Sequence, residues 1–222
     1  SGMEAWADLR ISVPSGQDFA LYLAVGEIGA RDLTGDIHLD TGSGPVHAFG
    51  SRGQLSIDTG SGQVTVDGFE GELEVDTGSG DVELIEIRGG NEVRVDTGSG
   101  SVEGSGVSAS ILEVDTGSGE VSLQAVSSPN VTVDTGSGSV EIELLEDVDQ
   151  LEVDTGAGSV TLWIPSTLGA EVEMDTGSGE IELDVPFEVE ELKRDCVKGI
   201  LGDGNGRIHV DTGSGGIRVM RR

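Results

Sequence analysis

The pentapeptide Asp-Thr-Gly-Ser-Gly recurs along the chain at nearly constant intervals. It occurs eight times, and Asp-Thr-Gly-Ala-Gly replaces it once. The nine motif aspartates are Asp40, Asp58, Asp76, Asp96, Asp115, Asp134, Asp154, Asp175 and Asp211. Subtracting successive residue numbers gives spacings of 18, 18, 20, 19, 19, 20, 21 and 36. A fixed period of about 20 residues is typical of a solenoid, in which each repeat forms one coil.

Each repeat has the pattern of two strands separated by a turn. Apolar and polar residues alternate from Leu55 to Thr59, the glycine-rich segment Gly60–Gly62 follows, and the alternation resumes from Gln63 to Val66. Alternation on both sides of a glycine-rich break predicts strand, turn and strand. An antiparallel meander would not place the same turn in the same position in every repeat, so the fold class is an all-β, right-handed parallel β-solenoid (β-helix) of about ten coils with a period near 19–20 residues.

The chain reads as a single β-solenoid domain, 1–222, with atypical ends. Residues 1–35 are an N-terminal cap and a degenerate first coil, residues 36–185 the regular repeats, and residues 208–222 the last coil. Residues 186–207 interrupt the pattern and form either a short helix or a side loop that packs near the end of the solenoid. Arg221 and Arg222 are typical of residues that protect an open strand edge from association.

The turn motif has a structural interpretation. By parity Thr59 points inward, with a hydroxyl able to bond along its own column, and Asp58 points outward. Its carboxylate can accept hydrogen bonds from turn N–H groups, as in an Asx turn. Gly60 and Gly62 are expected to supply positive φ angles for the reversal.

The charge limits the partners. The chain has 42 acidic and 12 basic residues, a formal charge of −30. Duplex nucleic acid and anionic membranes need a basic surface, so neither is expected as a partner. No apolar run is long enough to insert directly into a membrane. Cations and basic proteins remain, and the oligomeric state is left open.

The string Asp-Thr-Gly-Ser also occurs in the active-site turn of aspartic proteases. That chemistry needs two carboxylates that face each other and share a proton. A parallel stack places all nine aspartates on one side, so the protease interpretation is rejected. The stacked carboxylates repel each other, and Ca²⁺ between coils would relieve this repulsion. The nine motif aspartates are therefore a candidate calcium column, and no other cofactor is expected.

The outward strand positions carry mixed charged and polar residues without a regular threonine array, which disfavours ice binding. Trp6 and Trp163 are the only tryptophans and are far apart in sequence, so no sugar-binding platform or catalytic constellation is apparent. His38, His47 and His209 are expected to be solvated rather than metal ligands. Cys196 is the only cysteine, which excludes an internal disulfide framework and a cysteine-based zinc site. The basic residues Lys193, Arg194 and Lys198 would favour a lowered pKa, but a lone thiol is more simply expected to be a small core or cap residue.

The segments Val75–Leu84 and Met174–Leu183, together with the closing run Gly199–Val219, resemble the bacterial adhesin-like domains called toastrack domains. The resemblance covers nearly the whole chain and implies a β-solenoid of the bacterial cell envelope or extracellular space, with no catalytic residues to transfer. If Met3 is the native start, a cytoplasmic location is expected instead.

The leading hypothesis is a non-enzymatic structural or adhesion-type solenoid that contacts a protein or a cell-surface component through repetitive acidic surfaces. The alternatives are a calcium-responsive scaffold and a carbohydrate-active β-helix enzyme.

Overall fold

The chain folds into a stack of parallel β-strands with no helix among residues 8–222, which are the residues that the computed structural model describes. In chain order the strands are β1 (Phe19–Leu23), β2 (Ile28–Arg31), β3 (Thr34–Thr41), β4 (Val46–Phe49), β5 (Arg52–Thr59), β6 (Val64–Asp67), β7 (Glu70–Thr77), β8 (Val82–Thr97), β9 (Val102–Ser108), β10 (Ile111–Thr116), β11 (Val121–Val126), β12 (Asn130–Thr135), β13 (Val140–Leu144), β14 (Gln150–Thr155), β15 (Val160–Ile164), β16 (Ala170–Thr176), β17 (Ile181–Asp184), β18 (Glu188–Leu192), β19 (Cys196–Leu201), β20 (Gly206–Thr212) and β21 (Ile217–Arg221). The predicted all-β parallel solenoid is confirmed.

The strands form two columns that run the length of the stack. The first-strand column consists of β1, β3, β5, β7, the second half of β8, β10, β12, β14, β20 and β16, in that spatial order. The second-strand column consists of β2, β4, β6, the first half of β8, β9, β11, β13, β15, β21 and β17. Every pairing within the two columns is parallel, so equivalent residues of successive coils lie side by side.

The alternating sequence pattern decides which side chains enter the core. In β5 the side chains of Leu55, Ile57 and Thr59 are buried, whereas Asp58 is exposed. The same inward positions are buried in the inner strands and half-buried in the end strands β1 and β17, and the buried aliphatic residues form one continuous core. Each fully buried aliphatic side chain contributes roughly 1.5–3 kcal/mol, and this contribution recurs in every coil.

The two glycines of the motif are required by the close approach of neighbouring coils. A Cβ at Gly60 would lie 2.6 Å from the carbonyl oxygen of Gly42, and a Cβ at Gly62 would lie closer still to the carbonyl oxygen of Gly44. Only Gly62 of this pair has a positive φ, 154°. The expectation that Gly60 also supplies a positive φ is wrong, and its invariance reflects the lack of room for a side chain.

The inward threonines bond to the neighbouring coil. The hydroxyl of Thr155 donates to the carbonyl oxygen of Gly138 at 3.0 Å, and that of Thr116 donates to Gly100 at 3.2 Å. The sequence suggested that the hydroxyls bond along the threonine column. They bond to glycine carbonyls of the neighbouring coil instead. Thr59 and Thr77 are buried like the others, but their hydroxyls have no partner among the described residues.

The C-terminal coil lies inside the stack, not at its end. β20 pairs with β14 on one side and with β16 on the other, and β21 lies in the same way between β15 and β17. The expectation that residues 208–222 close the stack is therefore wrong. Arg221 and Arg222 do not protect an edge, because Arg221 pairs with Ile164 and the N–H of Arg222 donates to the Ile164 carbonyl.

Residues 186–207 contain a β-hairpin rather than the expected helix or side loop. β19 pairs antiparallel with β16, and β18 pairs antiparallel with β19. The hairpin therefore extends the first-strand column beyond β16. The turn of residues 202–205 then crosses the beginning of β16 to reach β20, and the N–H of Gly206 bonds to the carbonyl of Gly169. The segment therefore lies at one end of the stack.

Candidate functional site: a ladder of acidic side chains

The motif aspartates form one ladder on the outer surface of the first-strand column. The register pairs Asp40 with Asp58, Asp58 with Asp76, and so on to Asp134 with Asp154. Beyond Asp154 the ladder continues through Asp211 to Asp175. All nine positions predicted from the sequence are therefore brought together, at a strand spacing of about 4.8 Å.

The ladder carboxylates repel one another. Burial raises the pKa of Asp115, and the charges of Asp96 and Asp134 raise it further. The pKa of Asp76 is raised by burial and then by Asp96 and Asp58. The direction of these shifts means that the folded chain holds the charged ladder at an energetic cost.

The ladder carboxylates do not cap their turns. Among residues 8–222, the carboxylates that accept a hydrogen bond from a backbone N–H belong to Asp81, Glu143 and Asp203, none of which is in the ladder. The predicted Asx turns are therefore wrong for the motif. Instead, each turn is held by hydrogen bonds between coils, such as the 3.0 Å bond from the N–H of Gly78 to the carbonyl of Thr59. Asp115, Asp134 and Asp154 are exposed and are left free to face a partner, whereas Asp175 lies against Cys196 of the hairpin.

No compact metal site is apparent in the described part of the chain. Residues 8–222 contain no group of three or more His, Cys, Asp or Glu side chains arranged to hold a metal ion. A ladder with one carboxylate per coil offers few oxygens at any point, whereas Ca²⁺ takes six to eight. The calcium column stays a prediction.

The three histidines lie on outward strand positions, and His38 and His47 have local partners. The Nδ1 atom of His38 is 3.3 Å from the hydroxyl oxygen of Ser56, and the ring of Tyr22 lies 5.4 Å from the His38 ring. His47 stacks on Phe49, with ring centroids 6.2 Å apart. Of the two tryptophans, Trp6 lies outside the described residues, and Trp163 is partly exposed on the second-strand column.

Cys196 is a buried residue of the C-terminal hairpin. Burial raises the pKa of its thiol, and a hydrogen bond with Asp175 raises it further. The charge of Lys198 lowers this pKa but is outweighed, so the alternative of a low-pKa thiol is wrong and Cys196 is a small buried residue, as expected. Because the thiolate is the reactive form, the raised pKa indicates a packing role.

The charges are distributed very unevenly along the stack. Residues 95–192 contain 22 acidic residues and no lysine, arginine or histidine. The C-terminal coil, residues 206–222, contains four arginines and one aspartate, a formal charge of +3. The fold inserts this basic coil between two acidic ones: residues 145–164 have five acidic side chains and residues 170–184 have six, with no basic residue in either segment.

Ion pairs follow from this insertion. The Nε of Arg218 donates to Glu182 at 2.8 Å, and Arg207 lies 3.8 Å from Glu171. Arg222 reaches back two coils to Glu143 at 2.7 Å. Without the inserted coil, the two acidic coils would face each other directly. The separation of like charges gives a physical reason for the non-sequential order.

Two shallow depressions lie on the outer face of the first-strand column. The one of about 370 Å³ lies near the N-terminal end and includes Gln54, Glu72 and Arg94. Glu72 accepts hydrogen bonds from Gln54 at 2.6 Å and Asn91 at 3.1 Å, which lower its pKa. The other, of about 390 Å³, includes Lys198 and His209. Both depressions contain acidic and basic side chains. The part of the acidic surface that has few basic neighbours therefore lies between them.

The comparison with family models gives one match that spans nearly the whole chain. The Toastrack DUF4097 family model matches residues 7–220. The chain belongs to this family. The resemblance inferred from the sequence is thereby confirmed, and the toastrack fold is the stacked β-solenoid described above. Neither curated proteins nor solved structures give a significant match to the chain. No helix among the described residues is long and apolar enough to span a membrane.

The sequence pattern located the ladder but missed the basic coil within this toastrack domain. The motif alone places nine aspartates in register, because the repeats share one parity. The position of Arg207 and Arg218 between acidic strands depends on the non-sequential order, which the spacing of the motif does not encode. The absence of basic residues from 95 to 192 was the available signal that the C-terminal arginines have acidic neighbours elsewhere in the stack.

Proposed function

We propose that this toastrack protein is a non-enzymatic structural or adhesion-type solenoid, which binds a basic protein or cell-envelope component through its repetitive acidic surface. The observation that carries the proposal is the composition of residues 95–192, which contain 22 acidic residues and no lysine, arginine or histidine. Within this segment Asp115, Asp134 and Asp154 are exposed and Asp96 and Asp175 are half-buried, and none of the five accepts a hydrogen bond from a turn N–H. Burial and then the repulsion of neighbouring carboxylates raise the pKa of Asp115 and Asp134, and a cationic partner would relieve the repulsion.

Binding of this kind has a defined electrostatic signature. A polycation that pairs with a row of carboxylates loses affinity as salt rises, because exposed charges are screened over about 10 Å at 0.1 M ionic strength. Electrostatic attraction of this type also speeds association. A regular ladder suits an extended basic segment, since the carboxylates repeat at each coil of the stack.

The test is titration of the protein with a fluorescent poly-lysine peptide at several salt concentrations, with a poly-glutamate peptide as the negative probe. Replacement of Asp96, Asp115 and Asp134 by Asn should weaken poly-lysine binding at least tenfold at low salt. The matched control replaces Asp18 and Asp36 by Asn and Glu27 by Gln, which removes the same formal charge near the N-terminal end. Its affinity should change less than threefold. Equal losses in the two variants, or no binding by the unaltered protein, would contradict the proposal.

A calcium-responsive scaffold is the second candidate, favoured by the juxtaposed carboxylates of the ladder. A ligand that binds only the native state raises the unfolding temperature. Unfolding is therefore measured with EDTA, Ca²⁺ and Mg²⁺, for the unaltered protein and for the Asp96, Asp115 and Asp134 variant. A rise specific to Ca²⁺ that the triple variant loses would support the scaffold. A rise with both cations that the charge-matched control also shows would indicate only screening.

A further inference from the structure

The inserted C-terminal coil fills a space bounded on both sides by coils that precede it in the chain. β20 and β21 make parallel pairings with β14 and β15 on one side and with β16 and β17 on the other. We refer to this space as the insertion slot. All four of its flanking strands are complete before residue 206. The slot must therefore stay open, with unpaired strand edges on both sides, until residues 206–222 enter it.

At the turn, the slot accepts only certain residue types in the segment that fills it. A Cβ at Gly213 would lie 2.5 Å from the carbonyl oxygen of Gly156, and a Cβ at Gly177 would lie 2.5 Å from that of Gly213. The hydroxyl of Thr212 donates to the carbonyl of Gly158 at 2.9 Å. The occupant must therefore present threonine and then glycine, in register with two parallel strands.

The charge of the flanking coils further limits which segment can fill the slot. The two flanking segments, 145–164 and 170–184, carry eleven acidic residues in total, five plus six, and no basic residue. Residues 206–222 meet this environment with four arginines, and Arg218 contacts Glu182 directly. The other repeats of the chain have the turn motif but not this positive charge. The segment that fits the slot is therefore 206–222, and the same segment in a second copy of the chain fits it equally well.

We propose that residues 206–222 are exchanged between two copies of this protein, each of which fills the insertion slot of the other. The connection that holds the coil to its own slot is the turn of residues 202–205, between β19 and β20. In a swapped pair this turn opens into a link between two copies, and every hydrogen bond of the slot is re-formed. This is a domain swap, which needs no new contact surface.

During folding, residues 206–222 can enter the insertion slot of their own chain or that of another chain, and the two routes compete. A short connector gives the chain's own coil an effective concentration on the order of millimolar. At about 100 µM chain, the dimer should therefore reach roughly a tenth of the refolded protein, and its fraction should rise in proportion to concentration while it is small. Once placed, the coil is held by strands on both sides in both columns. The ratio of monomer to dimer then reflects the concentration at which the protein refolded.

Cysteine cross-linking in the full chain tests the exchange. The substitutions Ala157→Cys and Ser214→Cys, in a Cys196→Ser background, place two thiols at stacked, exposed turn positions next to each other in the slot. The protein is refolded from denaturant at a series of concentrations, diluted, oxidised and run on a non-reducing gel. We expect a covalent dimer whose share rises about tenfold for a tenfold rise in refolding concentration. The control pair, Ser137→Cys with Ala157→Cys, joins two coils that follow each other in the chain and should give only monomer.

The outcomes separate clearly. Monomer at every concentration for both pairs would overturn the exchange, and equal dimer with both pairs would assign association to another part of the chain. If the cysteine variants do not fold, unaltered chains grown with light and heavy nitrogen are refolded together and analysed by native mass spectrometry. Mixed light–heavy dimers that persist on dilution support the exchange. Their absence overturns it.

Discussion

The hydroxyl of Thr212 donates a 2.9 Å hydrogen bond to the carbonyl oxygen of Gly158, 54 residues earlier in the chain. The equivalent bonds elsewhere in the stack, such as that from Thr135 to Gly119, join residues only 16 positions apart. The two bonds join the same kinds of atoms, at 2.9 Å and 3.3 Å, although the sequence separation is more than three times larger for Thr212. Each coil therefore recognises its neighbour by the shape and polarity of the turn and not by proximity in the chain.

We expect replacement of an inward threonine by valine to change the free energy of unfolding differently at Thr155 and at Thr59. Thr155→Val removes the hydroxyl that donates to Gly138 and leaves that carbonyl without its side-chain partner, which should cost about 1 kcal/mol. Thr59→Val replaces a buried hydroxyl that has no partner among the described residues, so the free energy of unfolding should stay equal or rise slightly. Urea unfolding midpoints measure both. Equal destabilisation of the two variants would show that the Thr59 hydroxyl is bonded in solution.

A second prediction concerns the corner after the second strand of each coil. Six stacked residues there have φ between 51° and 69°, and three of them are not glycine: Asp32, Glu86 and Ala125. The left-handed conformation costs a residue with a Cβ roughly 1–2 kcal/mol, and glycine avoids most of this cost. Ala125→Gly should therefore stabilise the protein by about 0.5 kcal/mol in urea unfolding, after allowance for the extra freedom of glycine in the unfolded chain.

The matched control for the corner is Ala109→Gly. Ala109 is 6% exposed and is not among the residues with positive φ. Its replacement loses buried apolar surface and adds chain entropy, so it should destabilise the protein by about 1 kcal/mol. A loss of stability in Ala125→Gly as large as that in the control would contradict the argument from backbone strain.

The repetitive part of the fold follows from local pattern, and the exceptions follow from long-range charge. Strand parity, the inward threonines and the register of the nine aspartates all depend on the motif and its spacing, so the sequence predicts them. Asp154 and Asp175 are 21 residues apart, close to the usual period, and the sequence therefore predicts that they are neighbours. The structure places Asp211 between them. Nothing local to residues 154–175 encodes this, because the cause lies in the arginines of the C-terminal coil.

The candidate site was predictable in position but not in chemistry. The ladder lies where the parity of Asp58 places it, on the outside of the coil. The expected turn caps are absent from the ladder because the turn N–H groups bond to the neighbouring coils instead, as Gly78 does to Thr59. The hairpin of β18 and β19 was missed because Val189, Leu192 and Cys196 also fit a helical spacing. Its pairing with β16 is a tertiary contact that the pattern of its own residues does not show.

A third prediction is that the protein becomes more stable as the pH falls from neutral. The pKa values of Asp76, Asp115 and Asp134 are raised in the folded state, so the folded chain binds protons there more tightly than the unfolded chain. The cost of keeping these groups charged, which comes from burial and then from mutual repulsion, is fully present at neutral pH. It is relieved as the pH falls through the raised values toward the ordinary value of about 4. The unfolding temperature should therefore rise over this range.

Below about pH 4 the trend should reverse. The pKa values of Glu72, Glu173 and Glu191 are lowered in the folded state by hydrogen bonds, so their contribution to stability is lost as they become protonated. Asp115→Asn should raise the unfolding temperature at pH 7 and reduce the gain on acidification. Asp184→Asn removes the same formal charge away from the ladder and should leave the gain unchanged. A gain that is the same in both variants would assign the pH dependence to net charge and not to the ladder.

The last prediction concerns the charge that the inserted coil brings between two acidic ones. Arg218→Gln keeps much of the side-chain length but removes the charge that Glu182 faces at 2.8 Å. An exposed ion pair contributes about 0.2–1 kcal/mol, so a loss in this range is expected at low salt. Addition of 1 M NaCl, which shortens the screening distance to about 3 Å, should remove most of the difference from the unaltered protein.

The control is Arg52→Gln, because Arg52 lies 3.7 Å from Glu70 and the two residues belong to coils that follow each other in both chain and stack. Its loss should be smaller than that of Arg218→Gln, since no acidic coils are held apart at that position. If Arg52→Gln destabilises the protein as much, or if the effect of Arg218→Gln persists in high salt, charge alternation does not explain the non-sequential order of the stack.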